Sequence, residues 1–233
     1  MKRLAPIVLF VYNRPEHTRK TIEALQENEL AKESELFIYS DAAKNEDTNS
    51  KVDLVREYIK KIDGFINVTI IEREKNWGLA NSIIDGVTKI INEYGKIIVL
   101  EDDLVTSPYF LKFMNEALEF YEGEKNIFSI TGFSFPQKFM KFKSTDKDDI
   151  YFNIRPMSWS WATWENRWKG IDWDLKNFNA FILDKDKRNK FNTGGTDLTG
   201  MLLSQKSGKI DSWRFVSTKL SLFKLLSFDL ISL

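Results

Sequence analysis

Cysteine is absent from the 233 residues, and histidine occurs once, as His17. A disulfide framework, a thiolate zinc site and a cysteine nucleophile are thereby excluded, and an imidazole-rich metal centre cannot be built. Any metal must be held mainly by oxygen. Net charge is missing too, since 34 basic residues balance 34 acidic ones. Such a chain offers nucleic acid or an anionic membrane no bulk attraction. No run of about twenty apolar residues is free of charge, so no membrane span is expected, although peripheral association stays open. The start, Met1-Lys2-Arg3 before an apolar run, imitates a secretory signal. Pro6 interrupts it and no small-residue cleavage site follows, so the run reads as a strand. Neither G-x-G-x-x-G nor G-x-x-x-x-G-K-[ST] is found, which argues against dinucleotide and P-loop chemistry.

What is present is an apolar core pattern with seven Trp and eighteen Phe, enough for one domain or two tightly fused halves. Strands are expected at Ala5 to Tyr12, Leu36 to Ser40, Phe65 to Ile71 and Lys96 to Leu100. They alternate with helices that begin at Pro15, run from Thr48 to Ile62, cover Ile83 to Tyr94, and run from Ser107 to Tyr121. Four such alternations predict an α/β layer on a mostly parallel sheet. Ligands of these sheets sit outside the carboxyl ends of the strands. Tyr12, Asn13, Arg14, Asp41, Asn76, Glu101, Asp102 and Asp103 all fall on that edge.

The most informative stretch is Glu101-Asp102-Asp103, three carboxylates ending an apolar strand. Burying them is costly without compensation, which suggests a hard divalent cation, Mg²⁺ or Mn²⁺, held through oxygen. The competing reading is a solvated strand end that caps the next helix.

Beyond residue 126 the sequence changes, with short strands at Ile127 to Thr131 and Ile150 to Ile154 and a charged loop at Lys141 to Asp149. A tryptophan cluster follows. Trp161, Trp164 and Trp168 are spaced for one helical face and read as packing, while Trp159 falls outside that stripe and is suited to stacking on a sugar ring. Thr196 or Asp197 is placed to cap a helix running to about Ser204.

Five ordered segments resemble the GT-A glycosyltransferases, specifically the bacterial family-2-like enzymes and, more distantly, N-acetylglucosaminyltransferase I. They are Pro6 to Pro15, Tyr39-Ser40-Asp41, Asn76 to Ala80, Val99 to Phe110 and Gly195 to Thr199. The resemblance spans residues 5 to 213. It implies a GT-A fold, a Rossmann-like mostly parallel sheet with a smaller acceptor-side half, divided as a nucleotide-sugar half (1–125), an acceptor half (126–213) and an atypical tail (214–233). By the same resemblance Arg14 and Asp41 contact the nucleotide, with Asp41 at the base. Tyr12, Asn13, Asn76, Glu101 and Asp102 complete the donor site, Asp103 is the direct ligand of Mn²⁺ or Mg²⁺, and Trp159 faces the acceptor.

The implied reaction is metal-dependent, inverting transfer from a nucleotide-sugar, a UDP-sugar foremost, to a glycan or lipid-linked glycan. Its implied setting is surface polysaccharide synthesis at the cytoplasmic face of the membrane. A carboxylate base must receive the acceptor's proton. By its place after the Trp-rich segment Asp197 is the first candidate and Asp211 the second. Two rivals stay open, a degenerate nucleotide-binding homologue and a metal-dependent phosphohydrolase, which would need further carboxylates for a second metal. Relatives continue past a segment like Gly208 to Trp213 into aromatic and basic sequence. The Leu-, Ser- and Phe-rich stretch Arg214 to Leu233 departs from them and is read as a frameshift or truncation, the alternative being an amphipathic helix with Phe215, Leu222, Leu226, Leu230 and Leu233 on one face.

Overall fold

The computed structural model describes residues 3–134, 150–210, 212 and 228–232, the last group as backbone only. Strand β1 (Ile7–Val11) is followed by α1 (Pro15–Gln26), β2 (Glu35–Ser40), α2 (Glu46–Ile59), β3 (Asn67–Glu72), α3 (Leu79–Tyr94), β4 (Lys96–Glu101) and α4 (Phe110–Phe120). The remainder comprises β5 (Ile127–Thr131), β6 (Ile150–Asn153), β7 (Trp161–Trp164), the short helices α5 (Glu165–Trp168), α6 (Phe178–Leu183) and α7 (Lys185–Phe191), then α8 (Leu198–Lys206) and β8 (Phe228–Ser232).

The eight strands among the described residues join one sheet in the order β3-β2-β1-β4-β7-β5-β8-β6. Strands β1 to β4 are mutually parallel, as their near-continuous apolar runs predict. The sheet continues into the second half through β7, antiparallel to both β4 and β5. It is therefore the α/β, mostly parallel sheet expected.

Alternation along β1 divides the core. Ile7, Leu9 and Val11 join Ile22 and Leu25 of α1, Val55 and Ile59 of α2, and Leu111 and Met114 of α4 on one face. Val8 and Phe10 join Ile83, Val87 and Ile90 of α3 on the other, together with Trp168, Phe181, Phe191, Leu198 and Leu202 from the second half. The second half thus shares the hydrophobic layer of α3 and has its short helices moored there.

Three expectations are corrected. Trp161, Trp164 and Trp168 do not form a single helical stripe, because the first two lie on β7, where residues three apart point to opposite faces. Trp161 accordingly packs with Trp168 on the α3 face and Trp164 on the opposite one, all three buried. The packing role holds and the helical geometry does not. Asp197 stands just before α8 but in helical conformation (φ −81°, ψ −19°) and makes no capping bond. Finally, Leu230 lies on β8, paired with Ile130 and Phe152, so it is not part of the helical face read for the tail. Phe215, Leu222, Leu226, Leu233 and the Lys141 to Asp149 loop lie outside the described residues.

Candidate active site

Strands β1, β2 and β4 release the chain side by side. Their carboxyl ends and the β3–α3 loop enclose a cleft of about 410 Å³, lined among others by Tyr12, Asn13, Arg14, Asp41, Asn76, Glu101 and Asp102. Seven residues expected at the donor site are therefore brought together.

Asp102 is 2% exposed, and its carboxylate accepts the backbone N–H of Tyr12 at 3.4 Å and a short charge-assisted bond from the Arg14 guanidinium. The second nitrogen of the Arg14 fork reaches Asp103 at 2.8 Å, and the Thr21 hydroxyl donates to the Asp102 carbonyl at 3.0 Å. One arginine thus straddles two successive carboxylates, one buried and one 40% exposed. Burial pushes the Asp102 carboxyl above its ordinary range, against the opposing pull of Arg14 and the Tyr12 amide. Arg14 is held above its own ordinary value: burial works against its charge, but the two acids outweigh it.

Asp41 has a second occupation. Its carboxylate accepts the backbone N–H groups of Ala42 (2.9 Å), Trp77 (2.9 and 3.2 Å) and Gly78 (3.0 Å). The Asn76 amide completes the tie by donating to the Ala42 carbonyl at 2.7 Å. The loop that walls the cleft is therefore laced to the end of β2.

The floor is aromatic. Phe10 and Tyr39 stack with ring centroids 5.4 Å apart. Beneath them α3 presents Gly86, where a Cβ would lie 2.9 Å from Phe10 and 3.1 Å from Tyr39. Only a bare backbone allows the helix this close.

Asp103, Trp159 and Asp197 do not line the cleft. Trp159, 44% exposed, stands against Phe133 edge to face at 4.4 Å, and its carbonyl accepts the Thr131 hydroxyl at 2.8 Å. It precedes β7, whose first residue, Trp161, pairs with Val99 near the carboxyl end of β4, and Ser160 (φ +44°) turns the chain between them. Asp197 is elsewhere engaged, in a two-pronged pair with Arg155 at 2.9 Å per contact. Gly195 (φ +148°) arches over that pair, and a Cβ there would lie 2.6 Å from the Arg155 guanidinium. Asp211 lies outside the described residues.

Among the described residues no three His, Asp, Glu or Cys side chains converge to hold a metal by themselves. The Asp103 carboxylate, 40% exposed, nonetheless matches the one or two acidic oxygen ligands that Mg²⁺-type ions take when phosphates and water fill the other positions. No helix among the described residues is long and apolar enough to cross a membrane.

Several lining residues have no site role in the sequence analysis: Lys44 and Ser82, and also Phe10, Tyr39 and Leu79, which it names only within longer segments. Phe10 and Tyr39 were within reach of a period-two reading, since each falls close to a strand end already assigned to the cleft. Lys44 had no such signal, being placed by the turn in which its N–H donates to the Tyr12 hydroxyl at 3.0 Å.

The family profile described as "Glycosyl transferase family 2" matches residues 7–196. No curated protein sequence matches the chain. Similar solved structures include mannosyltransferase PcManGT from Pyrobaculum calidifontis in complex with GDP-Man and Mn²⁺, with 11% identity, 58% of this chain and 37% of that chain covered, and a TM-score of 0.42. S. aureus TarS 1–349 is similar at 15% identity, over 68% of this chain and 47% of that one, with a TM-score of 0.44. Its complex with UDP gives 17%, 60%, 40% and 0.41 for the same quantities. The chain spans less than half the length of these matched structures.

Proposed function

From the premise that the chain belongs to glycosyl transferase family 2, we propose that it moves a sugar from a nucleotide-sugar donor to a glycan acceptor, with inversion and with a divalent metal. The observation that carries this reading is the cleft at the ends of β1, β2 and β4. It is aromatic-floored and lined by Asp41, Arg14 and Asp102, with Asp103 tied to Arg14 beside it. A flat base suits the stacked Phe10–Tyr39 floor, and a base N–H would share the Asp41 carboxylate with the loop amides. A diphosphate belongs beside Arg14, which has donors left after its two acid contacts, and Lys44 adds a second positive charge to the lining.

Asp103, the more exposed acid, would be the direct ligand of Mn²⁺ or Mg²⁺, with Asp102 and Glu101 facing the donor. When bound, such an ion supplies Lewis-acid stabilisation of the departing diphosphate. The chain's own residues hold the donor, and they orient its anomeric carbon toward the edge where Trp159 can stack on an acceptor sugar. The acceptor hydroxyl then attacks the anomeric carbon from the side opposite the phosphate, the glycosyl–phosphate bond breaks, and the hydroxyl proton passes to a carboxylate. We assign that base to Asp197, which must part from Arg155 to serve. Surface polysaccharide synthesis on the cytoplasmic side, with a UDP-sugar and a lipid-linked glycan, is the setting favoured on family analogy alone.

The Arg155–Asp197 pair favours one alternative, a homologue that binds nucleotide but does not transfer, because a base locked by a guanidinium takes up no proton. Calorimetry with UDP and with GDP, each with and without Mn²⁺, tests the main reading. Binding that strengthens with Mn²⁺ is expected, Asp103→Ala abolishing that gain and Asp197→Ala sparing it. Absence of metal-dependent binding of either nucleotide would overturn the assignment, and binding without donor hydrolysis or transfer would select the alternative.

A further inference from the structure

Arg73 follows β3 directly and is buried to 8% exposure, an unusual place for a guanidinium in a loop of charged residues. Its plane lies over the Tyr39 ring at 5.0 Å and the Trp77 ring at 4.0 Å. One nitrogen makes a short ion pair with Asp85 of α3, and Nε is buried without a hydrogen-bond partner. The main chain is pinned as well, with Arg73 N–H donating to the Ser40 carbonyl at 2.9 Å and the Arg73 carbonyl accepting from Arg56 at 2.8 Å. Burying an ion pair with one donor unsatisfied is a poor route to stability, and an apolar side chain of equal volume would pack there at no such cost. What an apolar side chain cannot do is hold two aromatic rings and a helix in one fixed relation.

Those three partners are parts of the cleft. Tyr39 is its floor, the Trp77 and Gly78 amides are the donors that grip Asp41, and Asp85 is one residue from Gly86, on which the floor rests. We propose that Arg73 is a positioning residue, a cationic clamp that sets the β3–α3 loop and the aromatic floor in the geometry that receives the nucleotide. This rests on the nucleotide-sugar reading for its purpose, though not for its geometry.

Arg73→Met preserves length and apolar stem and leaves Asp85 paired with Lys89, 3.1 Å away, so the fold is expected to persist. In the ligand-free protein the amides of Trp77 and Gly78 should exchange with solvent about tenfold faster, the scale of removing one desolvated cation–π interaction. Arg73→Lys should recover only part of that protection, since an ammonium keeps the pair with Asp85 but has no planar face. UDP affinity should weaken in step, raising the donor KM while kcat at saturating donor stays near wild type. Unchanged amide protection in Arg73→Met overturns the proposal, as does full rescue by lysine. If UDP does not bind the wild-type chain, the nucleotide reading fails and amide exchange alone decides the clamp. Should Arg73→Met not fold, Trp77→Leu removes the clamp from its other side and should speed Gly78 exchange to the same extent; undiminished protection there also overturns it.

Discussion

In the first half of the sheet the cleft residues leave parallel strands that are buried on both faces, and backbone groups share in fixing their side chains. Asp41 is gripped by three amides, and Asp102 by the Tyr12 amide together with Arg14. In the second half Trp159 and Asp197 stand on loops, and their ring and carboxylate are fixed by other side chains, Phe133 and Arg155. A backbone grip survives most substitutions nearby, because every residue but proline supplies the N–H. A side-chain grip is lost with one codon. The first-half cleft thus rests in part on topology, and the positions of Trp159 and Asp197 on particular residue pairs.

The largest effect that could break this contrast is on turnover. Asp197→Asn is expected to lower kcat by about 10²- to 10⁴-fold, the span of general-base catalysis, with UDP affinity unmoved. Parallel losses in turnover and affinity, measured by transfer assay and calorimetry, would mean the halves do not divide the work. Next comes the seam. Trp168 stacks on Trp161 (5.6 Å), leans on Trp173 (4.8 Å) and donates to Thr88 of α3 at 2.8 Å, joining both halves at once. Trp168→Ala should cost about 3–5 kcal/mol in urea unfolding, as large-to-small core changes do. A loss under about 1 kcal/mol would show the second half is barely moored there.

The smallest effect is acid titration of the loop clamp. Burial pushes the Asp85 carboxyl up, but the hydrogen bonds and charges of Arg73 and Lys89 more than reverse it, leaving it below the ordinary 3.8. The unfolded chain therefore binds that proton more readily. The stability Asp85 contributes is present above 3.8 and is lost as pH falls through the lower folded value. Asp102 has the opposite sign: its raised value favours the fold while the group is protonated, and that advantage disappears as pH rises through it. Urea midpoints followed from about pH 5 to about pH 2.5 should fall less steeply in Arg73→Met than in wild type. Equal slopes would remove Asp85 from the clamp.

The sequence made the parallel strands legible because Ile7–Val11 and Lys96–Glu101 bury both faces and need no partner context to be recognised. The acids and Asp41 were legible for a related reason, since a strand's end is visible where apolar residues stop. Strand β7 was not. Trp161-Ala162-Thr163-Trp164 has the spacing of a helix turn, and only pairing with β4 and β5, remote in sequence, decides otherwise. Arg73 was hidden in the same way. Within Glu72-Arg73-Glu74-Lys75 nothing local distinguishes the one buried cation from its solvated neighbours. Its partners Tyr39 and Asp85 are 34 positions before and 12 after it.

Thr131 at the end of β5 pairs with Trp161 at the start of β7, and just beyond them the Gly132 N–H donates to the Ser160 carbonyl at 2.9 Å. The two strand ends are thus latched by main-chain groups. Such a latch reads no side chain, since every residue but proline carries the donor and every residue the acceptor. The spacing of these two strand ends is therefore set by the sheet itself and not by the letters written at its rim.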